Sequence, residues 1–429
     1  MTKKKQEKRD IEIEYTYLKL GYKPKEDIIC LFRIEPASGY TMKKAAENVA
    51  LESSIGTWTT IPEKKYMMHL GAKIFSIKGN LVKIAYPSEL FEKGNAPNIL
   101  SSVAGNIFGM KAVKNLRLED ISFPKSIVKS FQGPFLGIEG IRKTLDVWNR
   151  PFLGTIVKPK LGLKPEDHAK SAYDSWLGGC DFVKDDENLS SQDFNKFEAR
   201  LSKTLEARDR AEEETGEKKA YLVNVSAETE EMIRRAELVK KQGGKFIMID
   251  VVTCGFSGLQ TLREANLKLG IHGHRAMHAA FTRNKKHGMR MIVLADFCRL
   301  IGVDSLHIGT GIGKLEGDIK EIHELEEEIE YNKNRETQLR LAQDWYGIKP
   351  TLAVCSGGLH PGHVPFLIRH LGRDISIQMG GGIHGHPDGT RVGAIAARQA
   401  IDAALQHISL EKYAERYPEL RDALDLWEK

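Results

Sequence analysis

The chain has 429 residues, 41% of them hydrophobic and 28% charged, with a formal charge of +6. That balance suits one large globular domain plus a smaller one, and the modest, scattered positive charge favours a small anionic substrate over nucleic acid. Five cysteines (Cys30, Cys180, Cys254, Cys298, Cys355) without CxxC spacing argue against a disulfide framework or zinc site, and no run reads as a signal peptide or membrane span, so a cytoplasmic location is expected.

In chain order, residues 1–145 mix strands and helices. Ile28 to Ile34 reads as a strand, and Thr41 to Ser53 as a helix with Ala45, Ala46, Val49 and Ala50 on its apolar face. Strands at Ala72 to Ile77 and Leu81 to Tyr86 flank a Gly79-Asn80 turn, and a helix is expected from Ala96 to Phe108. This predicts a small α+β layer domain. Its polar stretch Glu52 to Trp58 reads, on its own, as a helix end with turn chemistry.

From residue 146 to 429 short apolar runs alternate with amphipathic stretches, the pattern of βα units around a parallel sheet. Eight strands are expected: Phe152 to Val157, Phe182 to Lys184, Tyr221 to Val225, Phe246 to Val251, Gly270 to His274, Ser305 to Ile308, Thr351 to Cys355 and Ser376 to Met379. Eight such units make a (β/α)₈ TIM barrel, in which chemistry lies at the C-terminal ends of the strands. The unusual residues fall there: Lys158 and Lys160, His274 and Arg275, His307, Ser356-Gly357-Gly358, and Gly380-Gly381. The acidic stretch Glu316 to Glu330 reads as a solvated helix face, and the tail from Leu410 as amphipathic helices packing on the barrel.

At the end of the second strand stands Lys184-Asp185-Asp186-Glu187. Strand alternation puts Lys184 and Asp186 on one face, and Glu187, where the strand gives way to loop, can turn towards the same point. Oxygen ligands of this kind suit a hard ion such as Mg²⁺. An ammonium there would repel the metal. Either Lys184 merely neutralises the acids, or its amine is chemically changed, for instance to a carbamate by CO₂.

The longer motifs are Glu52-Ser53-Ser54-Ile55-Gly56-Thr57-Trp58, Gly105-Asn106-Ile107-Phe108-Gly109, Lys158-Pro159-Lys160-Leu161-Gly162-Leu163, Gly178 to Asn188, His274 to His278, Gly313-Lys314-Leu315-Glu316-Gly317 and Ser356-Gly357-Gly358. In this order and over nearly the whole chain they closely resemble the large subunit of ribulose-1,5-bisphosphate carboxylase/oxygenase, Rubisco. Gly357 to Gly362 and Gly385 to Gly389 look most like the archaeal form III group. The resemblance implies a ferredoxin-like N-terminal domain, CO₂ fixation on ribulose 1,5-bisphosphate with oxygenation by O₂ as a monooxygenase-type side reaction, and a place in AMP metabolism. It also implies a homodimer, or a higher oligomer of dimers, without small subunits.

The resemblance further assigns roles. Lys184 would be the N6-carboxylysine that holds Mg²⁺ with Asp186 and Glu187 and takes the substrate's C3 proton. Lys158 would be the acid/base group, steered by Lys160, and His274 would handle protons in hydration and cleavage. Arg275 and His307 would bind one phosphate, and Thr57, Trp58, Gly357, Gly358, Gly380 and Gly381 the other. Ser356 would bind a substrate hydroxyl. Lys314 would close over the site on a lid and pair with Glu52, and Asn106 would approach the metal. Ile156, Gly311, Ile312 and Met379 depart from the plant pattern without removing a catalytic group. Rival readings are a Rubisco-like enolase or isomerase of another sugar phosphate, and a silent phosphate-binding scaffold; retention of Lys314, Glu52, Thr57, Trp58 and Asn106 speaks against the first, and the intact acid/base set against the second.

Overall fold

The computed structural model describes residues 17–56, 65–312 and 318–427. The N-terminal sheet is built from β1 (Asp27–Pro36), β2 (Lys73–Lys78), β3 (Leu81–Pro87) and β4 (Val113–Ser122). Ile28, Cys30, Phe32 and Ile34 alternate into the core along β1. The helix Met42–Glu52 starts at Thr41, whose hydroxyl accepts from Lys44 N at 3.2 Å, and buries Ala45, Ala46, Val49 and Ala50 as its spacing requires. The expected helix from Ala96 to Phe108 is two pieces, Ala96–Val103 and a 3-10 turn Asn106–Gly109. The break is at Gly105, where a Cβ would lie 2.0 Å from Ser101 O.

The sequence reading missed β4 altogether. Its charges hide the alternation, because Arg117, Glu119 and Asp120 are themselves buried. Arg117 donates to the carbonyls of Thr282 (3.1 Å) and Asn284, while Arg33 Nε donates to Glu119 at 2.5 Å.

The barrel strands are β5 (Phe152–Ile156), β6 (Phe182–Lys184), β7 (Ala220–Asn224), β8 (Phe246–Asp250) and β9 (Gly270–His274), followed after β10 (Gly288–Met289) by β11 (Ser305–His307). A short hairpin, β12 (Lys333–Asn334) with β13 (Gln343–Asp344), precedes β14 (Leu352–Ser356) and β15 (Ile375–Gln378). Strands β5, β6, β7, β8, β9, β11, β14 and β15 close into one parallel barrel, the eight strands expected. Its N-terminal end is plugged by Ile138, Ile141 and Leu145 of the helix Gly137–Leu145, packed on Phe152, Phe182 and Phe246. All catalytic space is therefore at the other end. Strand β10, in the connection after β9, leaves the barrel and pairs in parallel with β4, so the N-terminal sheet runs β10-β4-β1-β3-β2.

The acidic helix Ile319–Glu330 corrects the expectation of a solvated face: Glu326 and Glu328 are 4% and 2% exposed. Burial, then the neighbouring Glu330, pushes Glu326 up to about 9. A carboxyl whose folded-state value lies above its unfolded one costs more to ionise in the fold as pH rises between the two. Glu326→Gln is thus expected to raise the melting temperature more at about pH 8 than at about pH 5; equal shifts would show a solvated side chain. The tail packs as expected, burying Leu420, Ala423 and Leu424 from Pro418–Trp427. Among the described residues no helix is long and apolar enough to cross a membrane, and all five cysteines are free.

Candidate active site

The end of β6 sorts four charged residues onto two sides. Lys184 points into the barrel mouth, is 1% exposed, and donates from Nζ to Asp185 O at 2.7 Å. Burial pulls its pKa down, opposed by Glu187, Asp186 and Asp250 and reinforced by Lys158. Asp186 lies on the same side. Its Oδ2 accepts from Lys158 Nζ at 2.9 Å, and its Oδ1 accepts from the backbone and side-chain nitrogens of Asn188, both at 3.2 Å. Burial raises Asp186, but the Lys158 bond and charge outweigh it and the net shift is downward. Glu187 turns to the mouth, with Oε2 3.7 Å from His274 Nε2.

Asp185 faces the other way, into the layer between strands and helices. It accepts from Tyr221 OH (2.6 Å), Asn224 N (3.0 Å) and Arg200 Nε (3.1 Å), with His168 Nε2 also 3.1 Å away. Burial alone would raise it, yet Arg200 and these donors hold it well below the usual carboxylate range. This acid anchors the strand rather than serving the mouth. Asp185→Asn leaves Arg200 buried without its counter-charge, and a loss of roughly 3–5 kcal/mol of stability is expected; a denaturant midpoint close to that of the parent would contradict it.

Around the rim, His274 Nδ1 lies 2.9 Å from Asp250 Oδ1, which fixes the ring and presents Nε2 to the mouth. Behind it, His272 Nε2 and His307 Nε2 are 3.0 Å apart, and His272 Nδ1 is 2.9 Å from Ser305 Oγ. Burial, then Lys184 and His274, holds His272 well below the usual imidazole range; His307 is lowered by burial, then by the neighbouring His274, His272, Lys184 and Arg275. Arg275 stands beside Gly309, where a Cβ would lie 2.9 Å from its Nη2, and burial brings its pKa down to about 10. Its charge is opposed by the nearby Glu321.

Opposite, β14 ends in Ser356 with Gly357 and Gly358 at φ +130° and +73°, values that favour glycine. The turn after β15 brings Gly380 so close to Lys158 that a Cβ would sit 3.0 Å from Lys158 Cε. Lys160 is exposed at the lip. Thus Lys158, Lys184, Asp186, Glu187, His274, Arg275, His307, Ser356 and the two glycine turns share one rim. Glu52 and Asn106 do not join it: the Asn106 turn packs near the Glu52 helix, and no hydrogen bond ties either to the rim among the described residues. Thr57, Trp58 and Lys314 lie outside the described residues. The sequence reading missed Asp250, although a carboxylate closing an apolar strand run was a signal of the same kind as those it used.

A parallel barrel with a buried lysine, two inward carboxylates, an oriented histidine and glycine turns on one rim defines a (β/α)₈-barrel enzyme of anionic substrates. Residues 137–427 match the ribulose bisphosphate carboxylase large chain, catalytic domain, and residues 16–127 match the N-terminal domain of the same large chain. The chain belongs to the Rubisco large-chain family and is an enzyme of its carboxylase class. It is 52% identical to the ribulose bisphosphate carboxylase of Methanocaldococcus jannaschii, over 96% of this chain and 99% of that one. It is 50% identical to that of Methanosarcina mazei, with the same coverage. Among solved structures, the dimeric archaeal Rubisco of Hyperthermus butylicus matches with TM-score 0.91 at 47% identity, covering 96% of this chain and 99% of that one. The octameric enzyme of Pyrococcus horikoshii matches with TM-score 0.89 at 45% identity, covering 96% of each.

Proposed function

We propose that the chain carboxylates, and also oxygenates, ribulose 1,5-bisphosphate through an enediolate to give 3-phosphoglycerate, in the service of AMP and nucleotide salvage. The observation that carries the reading is the buried amine of Lys184 on one face with Asp186 and Glu187. Among the described residues no group of three or more His, Cys, Asp or Glu side chains is set to hold a metal ion. Two carboxylates and one amine stand here instead, so a carbamate on Lys184 would supply the third oxygen donor and complete a hard-cation set with Asp186 and Glu187. Mg²⁺ held there would offset negative charge developing on the ketose oxygens.

The remaining steps fall to the protein's own groups. Burial favours the neutral amine of Lys184, the form that adds CO₂. Lys158, whose Nζ lies 2.9 Å from Asp186 Oδ2, would protonate the product carbon, and His274, with Nδ1 at 2.9 Å from Asp250 Oδ1, would handle protons in hydration and cleavage. Arg275 and His307 would take one phosphate, Gly357, Gly358, Gly380 and Gly381 with Thr57 and Trp58 the other, with Lys160 and Ser356 between. In this reading residues 1–145 complete the site of a partner chain with Glu52 and Asn106, and no small subunit is needed.

Lys314 is assigned to the lid, where its charge would stabilise the new carboxylate. Lys314→Ala is expected to keep exchange of the substrate C3 proton and lose carboxylation; equal loss of both would make Lys314 structural. The direct test of the function is incubation with ribulose bisphosphate, Mg²⁺ and labelled bicarbonate. Labelled 3-phosphoglycerate is expected. Substrate isomerised without label would favour an enolase or isomerase.

A further inference from the structure

The hydrogen bonds under the glycine turn after β15 run in one direction, and that direction fixes a proton. Thr155 Oγ1 is 2.6 Å from Met379 O, a carbonyl that can only accept, so the single hydroxyl proton of Thr155 is spent there. Towards His384 Nε2, 3.0 Å away, Thr155 can then only accept, so His384 carries its proton on Nε2. The bare Nδ1 accepts from Thr390 Oγ1 at 3.0 Å. Burial, then the charge of Lys158, holds the ring neutral by pulling its pKa down to about 4. One flat ring thus serves as donor on one edge and acceptor on the other.

The residues joined this way matter for the rim. The backbone ladder between β15 and β5 runs from Ser376 with Phe152 to Gln378 with Gly154, and ends with Met379 N donating to Gly154 O at 2.9 Å. Above it, Thr155 of β5 lies three residues before Lys158, which follows that strand, and His384 ends the turn Gly381–His384 that follows β15, with its backbone N donating to Gly380 O at 3.1 Å. Lys158 and Gly380 face each other across this gap, where a Cβ on Gly380 would lie 3.0 Å from Lys158 Cε.

We propose that His384 is a positioning residue: as a locked Nε2–H donor between Thr155 and Thr390, it sets the spacing between the Gly380-Gly381 turn and Lys158, and with it the grip on the phosphate bound at that end. This rests on the reading of Gly380 and Gly381 as phosphate ligands. The test compares His384→Leu, His384→Gln, Thr390→Val and Gly380→Ala in the full-length enzyme, measuring kcat and KM for ribulose bisphosphate, inhibition by inorganic phosphate, and melting temperature. His384→Leu is expected to raise KM and the phosphate inhibition constant roughly 10-fold, since small misplacements at a site are costly, with kcat changed by less than about 2-fold. His384→Gln, whose amide can reach Thr155 as a donor, should recover most of the loss, and Thr390→Val should show a smaller rise of the same kind. In the parent enzyme, ¹⁵N spectra of labelled histidine should show His384 as the neutral Nε2–H tautomer. A lower melting temperature with KM and phosphate inhibition unmoved would make His384 merely structural and overturn the proposal, as would an Nδ1–H tautomer. If Gly380→Ala weakens phosphate inhibition and the His384 variants do not, the phosphate reading stands and the positioning role falls. If no variant moves it, the phosphate reading itself fails. Should His384→Leu not fold, unmoved KM and phosphate inhibition in Thr390→Val, or an Nδ1–H tautomer in the parent, decides against it.

Discussion

Lys184→Ala is expected to leave no measurable turnover, a loss of roughly 10⁴-fold or more, at any Mg²⁺ or CO₂ level. The expectation follows from geometry. Lys184 is the inward residue at the last position of β6, and its neighbours on that side, Asp186 and Glu187, are the two remaining carboxylates of the set. Removing the amine leaves no point at which CO₂ can add and no third oxygen, while Asp186 keeps its bond to Lys158. Added small carboxylic acids, entering the space the side chain vacates, should restore part of the enolisation. In the parent enzyme the same chemistry predicts that preincubation with CO₂ and Mg²⁺ together raises the initial rate. Full carboxylation by Lys184→Ala without added acid would refute the carbamate reading.

Mixing an inactive Glu52→Gln chain with an inactive Lys184→Ala chain, under conditions that exchange subunits, is expected to recover activity. The rim collects its lysines, carboxylates, histidines and glycines from the barrel alone, whereas Glu52 and Asn106 sit on the N-terminal domain and make no hydrogen bond to their own rim among the described residues. If they serve a partner's rim, a mixed dimer holds one site with both defects and one with neither. At equal mixing half the dimers are mixed, so about a quarter of the parent activity should return in a two-fold assembly. Stable mixed dimers without activity would sink shared sites, and so would an active monomer.

Much of this arrangement was legible because the barrel repeats one rule. Each strand is a short, mostly apolar buried run, so Lys184, His274, His307 and Ser356 announced themselves by breaking that pattern at its end. What stayed hidden were charges buried for structural reasons. Strand alternation already set Asp185 apart from Lys184 and Asp186, but the anchor it makes with Arg200, Tyr221 and Asn224 shows only in the fold. Strand β4 was invisible for the same reason, since Arg117 and Glu119 are charged by composition and buried by pairing. Glu326 and Glu328 read as solvent-facing because a sequence carries no record of what packs above a helix. Gly105 breaks a helix through a contact with Ser101 that propensity alone undervalues.

Strand β10 also orders events during synthesis. Among the described residues the outer edge of β4 in the N-terminal sheet is paired by Gly288–Met289, which leave the barrel after its fifth strand and dock as Arg290 N donates to Leu118 O at 2.9 Å. On the ribosome that edge stays open for roughly ten to thirty seconds after β4 has emerged, at ordinary rates of translation. An unpaired edge is the usual route to association between nascent chains. The charges of β4 suit a waiting edge, since Arg117, Glu119 and Asp120 disfavour pairing with another chain, and Arg117 gains its carbonyl acceptors, Thr282 and Asn284, from the segment that leads into β10.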